Sequence, residues 1–498
     1  MAAREMHPPS FASLAAAAAL AALTLAGCKL GPGYRSPALD IPLAYRATAA
    51  SAATAWPAPD WWRGFGSPEL DGLIEDARRH NFDLQAAIAR VREADAQVRI
   101  SGSPLLPTVG GGASDTWTRT GTGRGSSGLG NSFSFRSGKR YYETRDYAAS
   151  LSVSYEVDLW GRLRSAQDSA EASALFSRFD QQTVALTAVA SVATTYFTAL
   201  EYQDELAVAR RNLRDATDIL AALRARLAAG TNSQLDVSQQ EALVAGIRAS
   251  IPGLQSLFEQ ERNALGILIG RPPEEIAIAA DTLTRLPLPE VAAGLPSELL
   301  ARRPDVAGTE AELIAANADI RTARADMFPQ LTLTGQNGVS STALNTLFNP
   351  GTMLTQLVGN LSQTIFDNGL KGGTLELRRA RYDELLANYH RAVVQAFTDV
   401  ENGLVAYRYA TEQEALERVA VQTAQRAADI ARAQVLAGVS DIVTALQTQT
   451  TLFNDLNVLA QDRLNRFNAL ISLYKALGGG WTRADVIAPP STIYHGIL

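Results

Sequence analysis

Two kinds of periodicity divide the chain. Residues 147–159 alternate between apolar and polar positions, which predicts a β-strand with one apolar and one polar face. From Arg162 to Ala229 the sequence contains neither glycine nor proline. Its apolar residues recur every three or four positions, which predicts a packed helix on the order of 100 Å long. Residues 374–437 show the same spacing, interrupted only by Gly403. The pattern therefore predicts strands joined to unusually long helices.

An internal repeat organises these elements. Segment 81–109 aligns without gaps on 303–331, at an offset of 222 residues. Later landmarks in the first half, up to Gly270, align at an offset of 208 with landmarks up to Gly478. The difference, 222 − 208 = 14 residues, is expected between Pro107 and Gly161. We therefore expect two copies of one unit, each with a helix, a strand pair, a long helix and a return helix.

The repeat predicts the bounds of the main segments. Both long helices are expected to end at an Ala-Gly pair, and the first return helix to be interrupted at Pro252-Gly253. The expected segments are a signal peptide at 1–27, a lipidated segment at 28–66, a first repeat at 67–285 (strand pair 108–159, long helix 161–229, return helix 233–270), a second repeat at 286–480 (helix 305–326, strand pair 330–366, long helix 369–437, return helix 441–477) and a tail at 481–498.

The amino terminus predicts export and lipidation. An apolar run at 11–27 ends at Cys28 and is short for a bilayer span, as in the apolar region of a secretory signal. The sequence before Cys28 resembles the lipobox of bacterial lipoproteins, in which the cysteine carries the lipid. Lys29, rather than aspartate, follows it and favours the outer membrane. The alternative is a buried structural cysteine behind an ordinary signal or anchor helix.

Composition excludes several function classes. A net charge of -6 without Lys/Arg blocks argues against nucleic acid as a partner. One cysteine and four scattered histidines provide no disulfide framework and little material for a metal site, so we expect no cofactor and no metal. No enzyme is expected either, because carboxylates such as Asp399 and Glu401 fall within predicted helices, where solvation or ion pairing explains them.

The loop between the first two strands is expected to lie at the surface. Residues 119–145 are rich in Gly, Ser and Arg and contain the extra residues of the first repeat. Gly121, Gly123 and Gly125 lack the strand-to-helix context of a phosphate-binding loop. We therefore expect a flexible surface loop without a nucleotide site.

Four strands in one chain cannot close a barrel. No segment after the amino-terminal run offers 18 consecutive apolar residues, so any membrane crossing is expected to use strands. An open sheet edge in lipid would leave backbone groups unpaired. Self-association to an even total of at least about eight strands is therefore expected if the strands cross a membrane. A soluble half-buried sheet would show the same alternation.

Several ordered motifs carry a resemblance to a known family. The chain resembles the TolC-like outer-membrane efflux factors, in their lipoprotein branch of NodT or OprM type. The resemblance spans essentially the whole chain after Cys28. Its carriers include Trp61–Leu70 (WWRGFGSPEL), Asp158–Arg162 (DLWGR), Arg302–Asp305 (RRPD), Ile365–Gly369 (IFDNG) and Leu473–Trp481 (LYKALGGGW).

The resemblance implies an architecture and a function. It implies a mixed α/β membrane protein, in which three copies form a 12-stranded outer-membrane β-barrel continuous with a long α-helical coiled-coil barrel. The implied role is the passive, gated exit duct of a tripartite efflux pump that carries small molecules. The implied partners are a periplasmic adaptor protein, an inner-membrane transporter of the RND type and outer-membrane lipid.

The resemblance also implies functional positions at the turns between paired helices. Adaptor contact is expected at Gly230, Thr231, Asn232, Gly438, Val439 and Ser440. In related ducts a ring of aspartates narrows the pore near these turns, and Asp236 matches one of them. Glu241, Thr444 and Gln447 stand at the other gate positions, and Ser440 replaces a basic residue. We therefore expect a hydrogen-bonded closure with Asp236 and Asp441, against the alternative of ordinary solvated helix residues.

Three questions stay open at this stage. Trp56, Trp61, Trp62 and Phe65 suit either a membrane-interface belt or packing in a collar, and the resemblance favours the collar. The cargo could be protein, as in a type I secretion exit, although the lipobox favours small-molecule efflux. A non-conducting, lipid-anchored coiled-coil scaffold without membrane strands is the remaining alternative.

Overall fold

The structure is a computed structural model of the 498-residue chain. It describes residues 30–42, 44–46, 56–121, 141–280, 282–289, 296–481 and 483. The expected signal peptide, Cys28, Lys29 and most of the expected tail lie outside the described residues.

Helices predominate among the described elements. The same order, two helices, two strands, a long helix and a shorter helix, occurs twice along the chain. The elements are α1 (Pro68–His80), α2 (Phe82–Gly102), β1 (Thr108–Gly121), β2 (Tyr141–Val157), α3 (Arg162–Ala228), α4 (Gln234–Ile269), α5 (Pro296–Arg302), α6 (Pro304–Ala325), β3 (Gln330–Ser341), β4 (Met353–Ser362), α7 (Leu370–Ala437) and α8 (Ile442–Ala476).

The four strands form one antiparallel sheet in the order β1-β2-β3-β4. Thr108 of β1 pairs with Ser154 of β2, and Tyr147 of β2 pairs with Ser341 of β3. Both strand pairs end earlier than predicted, because 158–161 and 363–369 lead into the helices that follow. At its other end the first pair extends into the expected loop 119–145, because Arg119 to Gly121 pair with Tyr141 to Glu143. The expected loop is therefore wrong for these residues. Within this chain β1 and β4 are the edge strands of the sheet.

The two faces of the sheet differ in polarity. Cross-strand register places mainly apolar side chains on one face, called here the apolar face, and hydroxyl and amide side chains on the other. On the apolar face Asn337 is an exception, and its amide donates a hydrogen bond to Thr355 (2.9 Å). The remaining members of the apolar face include Val109, Leu151, Val153, Tyr155, Leu331, Leu333, Val339, Met353, Leu357 and Leu361.

The chain divides into two compact units, and each draws on both halves of the sequence. The first contains the sheet and comprises Met1–Arg35, Asp95–Ala172 and Leu313–Glu384. In this unit the Arg321 guanidinium pairs with Asp168 (2.8 Å), which joins the helix before β3 to the helix after β2. The second unit comprises the remaining residues from Ser36 onward.

Each strand pair passes into its long helix through an aspartate and a left-handed glycine. The carboxylate of Asp158 accepts hydrogen bonds from the backbone N–H groups of Leu163 and Arg164 (both 3.1 Å). Asp367 likewise accepts from the N–H groups of Gly369 and Lys371. These carboxylates satisfy N–H groups that a helix start leaves unpaired. Gly161 and Gly369 have φ values of 74° and 86°, which glycine adopts without steric cost.

An aromatic cluster forms the core of the second unit. Trp61 stacks on Tyr474 with ring centroids 4.8 Å apart, and Phe65 stacks on Phe467 at 5.5 Å. Trp61, Trp62 and Phe65 are at most 4% exposed. A membrane-interface belt is therefore wrong for these three, which pack inside the unit. Trp56 is half-buried, and its indole N–H donates to Glu298 (2.6 Å).

The expected interruption at Pro252-Gly253 does not occur. Helix α4 runs through both residues without a break. Proline removes one backbone donor and leaves the carbonyl four residues earlier, that of Arg248, without its helical partner. Arg248, Pro252 and Gly253 are all exposed, so water can satisfy that carbonyl. The helix therefore tolerates this proline, because the residue lies on its solvent-exposed side.

Helix α3 contains an uncharged stretch at 181–200. Among the described helices it alone is long and apolar enough to cross a membrane by length and composition. Val192, Tyr196 and Phe197 in this stretch are fully buried in the aromatic core of the second unit. We therefore assign the stretch to core packing, because a helix buried in a protein core can be as apolar as one that crosses a membrane.

Ion pairs account for the two helical carboxylates considered above. The guanidinium of Arg303 binds Asp399 (2.9 Å) and Asp305 (2.6 Å). Glu401 pairs with Arg46 at 3.4 Å. Both carboxylates thus have structural partners.

Two buried glutamates have opposite electrostatic surroundings. Glu414 is 1% exposed, and its carboxylate is bound by Arg418, Arg463 and Arg466. Burial alone would raise the pKa of Glu414, but the hydrogen bonds from Arg466 and Arg418 lower it. Glu201 is also 1% exposed. Burial, followed by the neighbouring carboxyl of Glu205, raises the pKa of Glu201 to about 9.

We predict that Glu201→Gln raises thermal stability above pH 5. The folded-state pKa of Glu201 exceeds its unfolded value, so its contribution is complete below about pH 4.5 and is lost as the pH rises toward 9. Removing the carboxyl should abolish a loss of up to about 1.4 kcal/mol per pH unit across this window. Melting temperatures in detergent from pH 5 to 9 measure the effect.

Glu414→Gln is the matched control. It removes the negative charge that three arginines share, so we expect it to lower the melting temperature throughout the same pH range. A Glu201→Gln protein whose melting temperature tracks that of the parent from pH 5 to 9 would contradict the assignment of a buried, protonated Glu201.

Candidate functional site

The site lies where each long helix turns into its shorter partner, α3 into α4 and α7 into α8. Gly230 and Gly438 follow the long helices in left-handed conformations, with φ values of 74° and 78°. The N–H of Thr231 donates to the carbonyl of Arg226, and the N–H of Val439 donates to that of Gln434 (both 3.0 Å). Both turns therefore use the same glycine-ended helix stop, which satisfies the last helical carbonyls.

The two turns belong to one packed group of four helix ends in the second unit. Two hydrogen bonds connect α3 with the shorter helices. The buried Gln240 amide of α4 donates to the carbonyl of Ala216 (2.8 Å), and the Gln449 amide of α8 donates to Asn212 (3.1 Å). The apolar cluster that joins the four ends comprises Ala216, Ile219, Leu220, Leu223, Val237, Val244, Ile247, Ala431, Val435, Ile442 and Ala445. Because all four helices contribute, a displacement of one turn must repack the others.

Arginines tie the first helix pair to the second. Arg226 donates to the carbonyl of Val435 (2.6 Å), which also accepts from the backbone N–H of Gly438 at the end of α7 (3.1 Å). Arg432 of α7 pairs with Asp215 of α3 (3.1 Å) and, at 3.7 Å, with Asp218. Sequence reasoning missed these residues, because nothing in the spacing of α3 and α7 indicates which faces meet.

The two expected gate aspartates cap helices. Asp236 accepts from the N–H of Ser233, and the Ser233 hydroxyl accepts from the N–H of Asp236 (both 3.2 Å), a reciprocal capping box. Asp441 begins α8, and its carboxylate accepts from the N–H of Val443 (3.1 Å). These contacts give both carboxylates a local role at the start of a helix. A gate role for them stays a prediction.

The other expected positions present a mixed polar and apolar surface. Val439 is 76% exposed beside the half-buried Ser440, and Thr231 is exposed beside the half-buried Asn232. Leu235, in the first turn of α4, is 64% exposed.

The gate positions along the shorter helices are polar and open. Glu241 is bound by Arg224 at 2.6 Å, so it is not a free acidic group. Thr444 and Gln447 are exposed on α8. Within the described ranges no three His, Cys, Asp or Glu side chains form a group that could hold a metal ion.

The lipidation candidate, Cys28, lies outside the described residues, but its neighbours are described. Gly31 lies against the side chains of Arg324 and Arg321 near the end of α6. A Cβ at position 31 would come within 2.9 Å of the Arg324 guanidinium, and φ there is 127°. The described segment thus begins beside the helix that leads into β3.

The sequence is similar to known proteins over most of its length. The sequence matches the family described as outer membrane efflux protein over residues 73–271 and 295–479. It is 38% identical over 440 residues to the pyoverdine export outer membrane protein OpmQ of Pseudomonas putida, covering 88% of this chain and 92% of that protein.

Solved structures agree with this similarity. The fold superposes on the outer-membrane channel OprN with a TM-score of 0.84 at 26% identity, over 91% of this chain and all of that one. It superposes on the open-state MtrE outer membrane channel of Neisseria gonorrhoeae with a TM-score of 0.80 at 28% identity, over 92% and 99% of the two chains.

Substitutions at Asp236 separate a capping role from a charged gate. We predict that Asp236→Ala costs about 1 kcal/mol of stability, because it removes the return hydrogen bond of the capping box, whereas Asp236→Asn costs little because its amide oxygen can still accept the Ser233 N–H. Thermal unfolding and single-channel recording of both variants are the measurements. A gate that depends on the negative charge would instead open more in Asp236→Asn, and that outcome would contradict the capping account.

Proposed function

Because the chain belongs to the outer membrane efflux protein family, it serves as the outer-membrane exit duct of an efflux pump, and we propose that three copies form that duct. The observation that carries the proposal is the four-stranded sheet with two free edges. Pairing β4 of one copy with β1 of the next would close twelve strands around a pore. Twelve is an even number within the range of outer-membrane barrels.

The polarity of the sheet supports its place in the membrane. The apolar face suits contact with lipid, and the hydroxyl and amide face suits a water-filled lumen. We propose that the helices extend from this barrel as a coiled-coil barrel in the periplasm. The element order that occurs twice in the chain supports the proposal that each copy contains two structural repeats.

An exposed stripe on α7 supports association between copies. Val394, Leu416, Val419 and Ile430 are each at least 60% exposed and fall on one side of the helix. Large apolar side chains aligned on one helix face need a partner helix. We assign this stripe to the contact with a neighbouring copy of the chain.

The mature chain is proposed to be anchored through acylated Cys28. The apolar run before Cys28 and the place of Gly31 near the start of β3 support an anchor in the leaflet on the periplasmic side. Mass spectrometry of the amino-terminal peptide tests this, since an unmodified cysteine there would contradict it.

We propose that the duct passes small molecules and is fed by an inner-membrane transporter of the RND type. Relatives named for pyoverdine export and toluene efflux support a small-molecule cargo over protein secretion. A periplasmic adaptor is proposed to contact the two turns, where exposed Val439 and Leu235 offer apolar contacts. No catalytic role is proposed for any residue.

Planar-bilayer recording with parallel mass determination tests the duct. We expect the detergent-extracted protein to have the mass of three chains and a small, mostly closed conductance, because in the proposed assembly the packed helix ends would narrow the pore at the turns. Arg226→Ala should increase the open time, since it removes a link between the helix pairs. A monomer that never conducts would contradict the duct and support the lipid-anchored scaffold.

The apolar stripe provides a matched pair of variants for the same measurement. Ile430→Asp should lower the trimer fraction, because it places a charge in the proposed contact between copies. Gln422→Asp adds the same charge on an exposed position of α7 outside the stripe and should leave the trimer intact. Equal effects of the two variants would rule out the stripe as the contact.

A further inference from the structure

At the end of the sheet near the β1–β2 loop, the apolar face includes charged and aromatic side chains. Near the loop between β1 and β2, cross-strand register places Asp115, Trp117 and Arg119 of β1 on that face, opposite Tyr147, Arg145 and Glu143 of β2. All alternate in step with the apolar residues nearer the helices. We name these six residues and Tyr141 the hairpin cluster. Its charged side chains lie on the face that the proposed barrel turns toward lipid.

Paired charges make such a placement possible. The Arg145 guanidinium binds both oxygens of Asp115 (2.8 and 2.5 Å) and lies over the ring of Tyr147, 5.0 Å from its centroid. The Arg119 guanidinium pairs with Glu143 (3.2 Å) and lies 4.1 Å from the Tyr141 ring centroid. Carboxylate and ring together hold each guanidinium against the sheet while roughly half of its side chain stays exposed.

The height of the cluster matches a membrane boundary. Along β2 the uncharged stretch of the apolar face runs from Val157 to Tyr147, which is eleven residues or ten steps along the strand. At about 3.4 Å per residue and a tilt of about 40°, this stretch rises about 26 Å, close to the apolar band of outer-membrane barrels. Asp115 is level with Tyr147 at the end of this stretch, and Arg145 comes immediately beyond it, where lipid head groups would begin. Trp117 and Tyr141 there are exposed, as aromatic residues at such boundaries commonly are.

The charge of the hairpin indicates which head groups suit it. Residues 119–145 contain six Arg or Lys (119, 124, 136, 139, 140 and 145) and one acid (Glu143), a net charge of 6 − 1 = +5 in a chain whose total is −6. The other hairpin loop, 342–352, contains no charged residue. Along the sequence, basic charge is thus concentrated between the middle of β1 and the middle of β2, and the described members of the set, Arg119 and Arg145, lie on the apolar face. Arginines with further N–H donors bind phosphate oxygens well.

We infer that the hairpin cluster is a binding surface for phosphorylated lipid head groups of the outer leaflet, with Arg119 and Arg145 as the phosphate contacts. The inference rests on the proposed barrel, which directs the apolar face toward lipid. The acids orient the arginines, and the aromatic rings supply the interfacial contact with the lipid below. The uncharged second hairpin leaves this surface confined to the β1–β2 end of each copy.

Lipid retention measures the inference directly. The full-length protein is reconstituted in phosphatidylcholine nanodiscs that contain either phosphorylated lipid A or lipid A freed of its phosphates, and retained lipid is counted by native mass spectrometry. We expect preference for the phosphorylated form, weakened roughly fivefold for each arginine removed in Arg119→Gln and Arg145→Gln. Arg119→Lys and Arg145→Lys, which keep the charge, should weaken it less.

Controls separate this inference from neighbouring explanations. Arg90→Gln breaks a comparably exposed ion pair with Asp180 in the second unit, and it should leave lipid retention unchanged. Equal retention of both lipids, or an equal loss in Arg90→Gln, would overturn the inference. Displacement of the lipid by millimolar inorganic phosphate would also overturn it, because it would identify a free-anion site. Trimer mass and conductance on the same samples report separately on the duct itself.

Discussion

Unpaired backbone at the edges of the sheet is the constraint on which the proposed assembly depends. Strand β1 has 14 residues and β4 has 10, and within one chain each pairs on a single side. In hydrocarbon every unpaired N–H or C=O costs several kcal/mol, and a domain's net stability is only about 5–15 kcal/mol. The free-energy cost of leaving two edges unpaired in lipid would therefore exceed the net stability of the fold. Closure by further copies would remove this cost.

The passage from strand to helix depends on short polar motifs rather than on long-range packing. Each passage uses an aspartate and a glycine within a few residues after a strand. The carboxylates of Asp158 and Asp367 accept backbone N–H groups at the helix start, and Gly161 and Gly369 adopt left-handed conformations. Arg162 supports the first passage by binding Glu156 at the end of β2 (2.7 Å). Short passages of this kind fix where each long helix begins relative to the strand before it.

Local signals made much of the fold predictable. Alternation at 147–159 predicted most of the strand described at Tyr141–Val157, although its first five residues were expected in a loop. The absence of glycine and proline predicted the long helix at Arg162–Ala228. The capping roles of Asp236 and Asp441 were also available from the sequence, because Ser233 precedes Asp236 by three residues and Asp441 directly precedes an apolar helix. Family resemblance drew attention to a gate instead.

The contacts that the sequence could not predict depend on which faces of the helices pack together. The Arg226 contact with the Val435 carbonyl, the three arginines around Glu414 and the burial of Glu201 are set by helix rotation and packing. The error at Pro252 has the same origin, because a proline breaks a buried helix face far more readily than an exposed one. The charges on the apolar face became meaningful only when the strand register was known.

Disulfide trapping between edge strands tests the central claim most directly. Cys28 is the only native cysteine, so cysteines introduced at Ala113 of β1 and at Met353, Thr355 or Leu357 of β4 can be assigned without ambiguity. We expect at least one of these pairs to join different copies on oxidation and to give a ladder that ends at three chains, whereas Ala113 with Val339 of β3, one strand further away, should not cross-link. If no pair joins two copies in a lipid bilayer while the protein stays folded, the edges are not closed by neighbouring chains and the account is wrong.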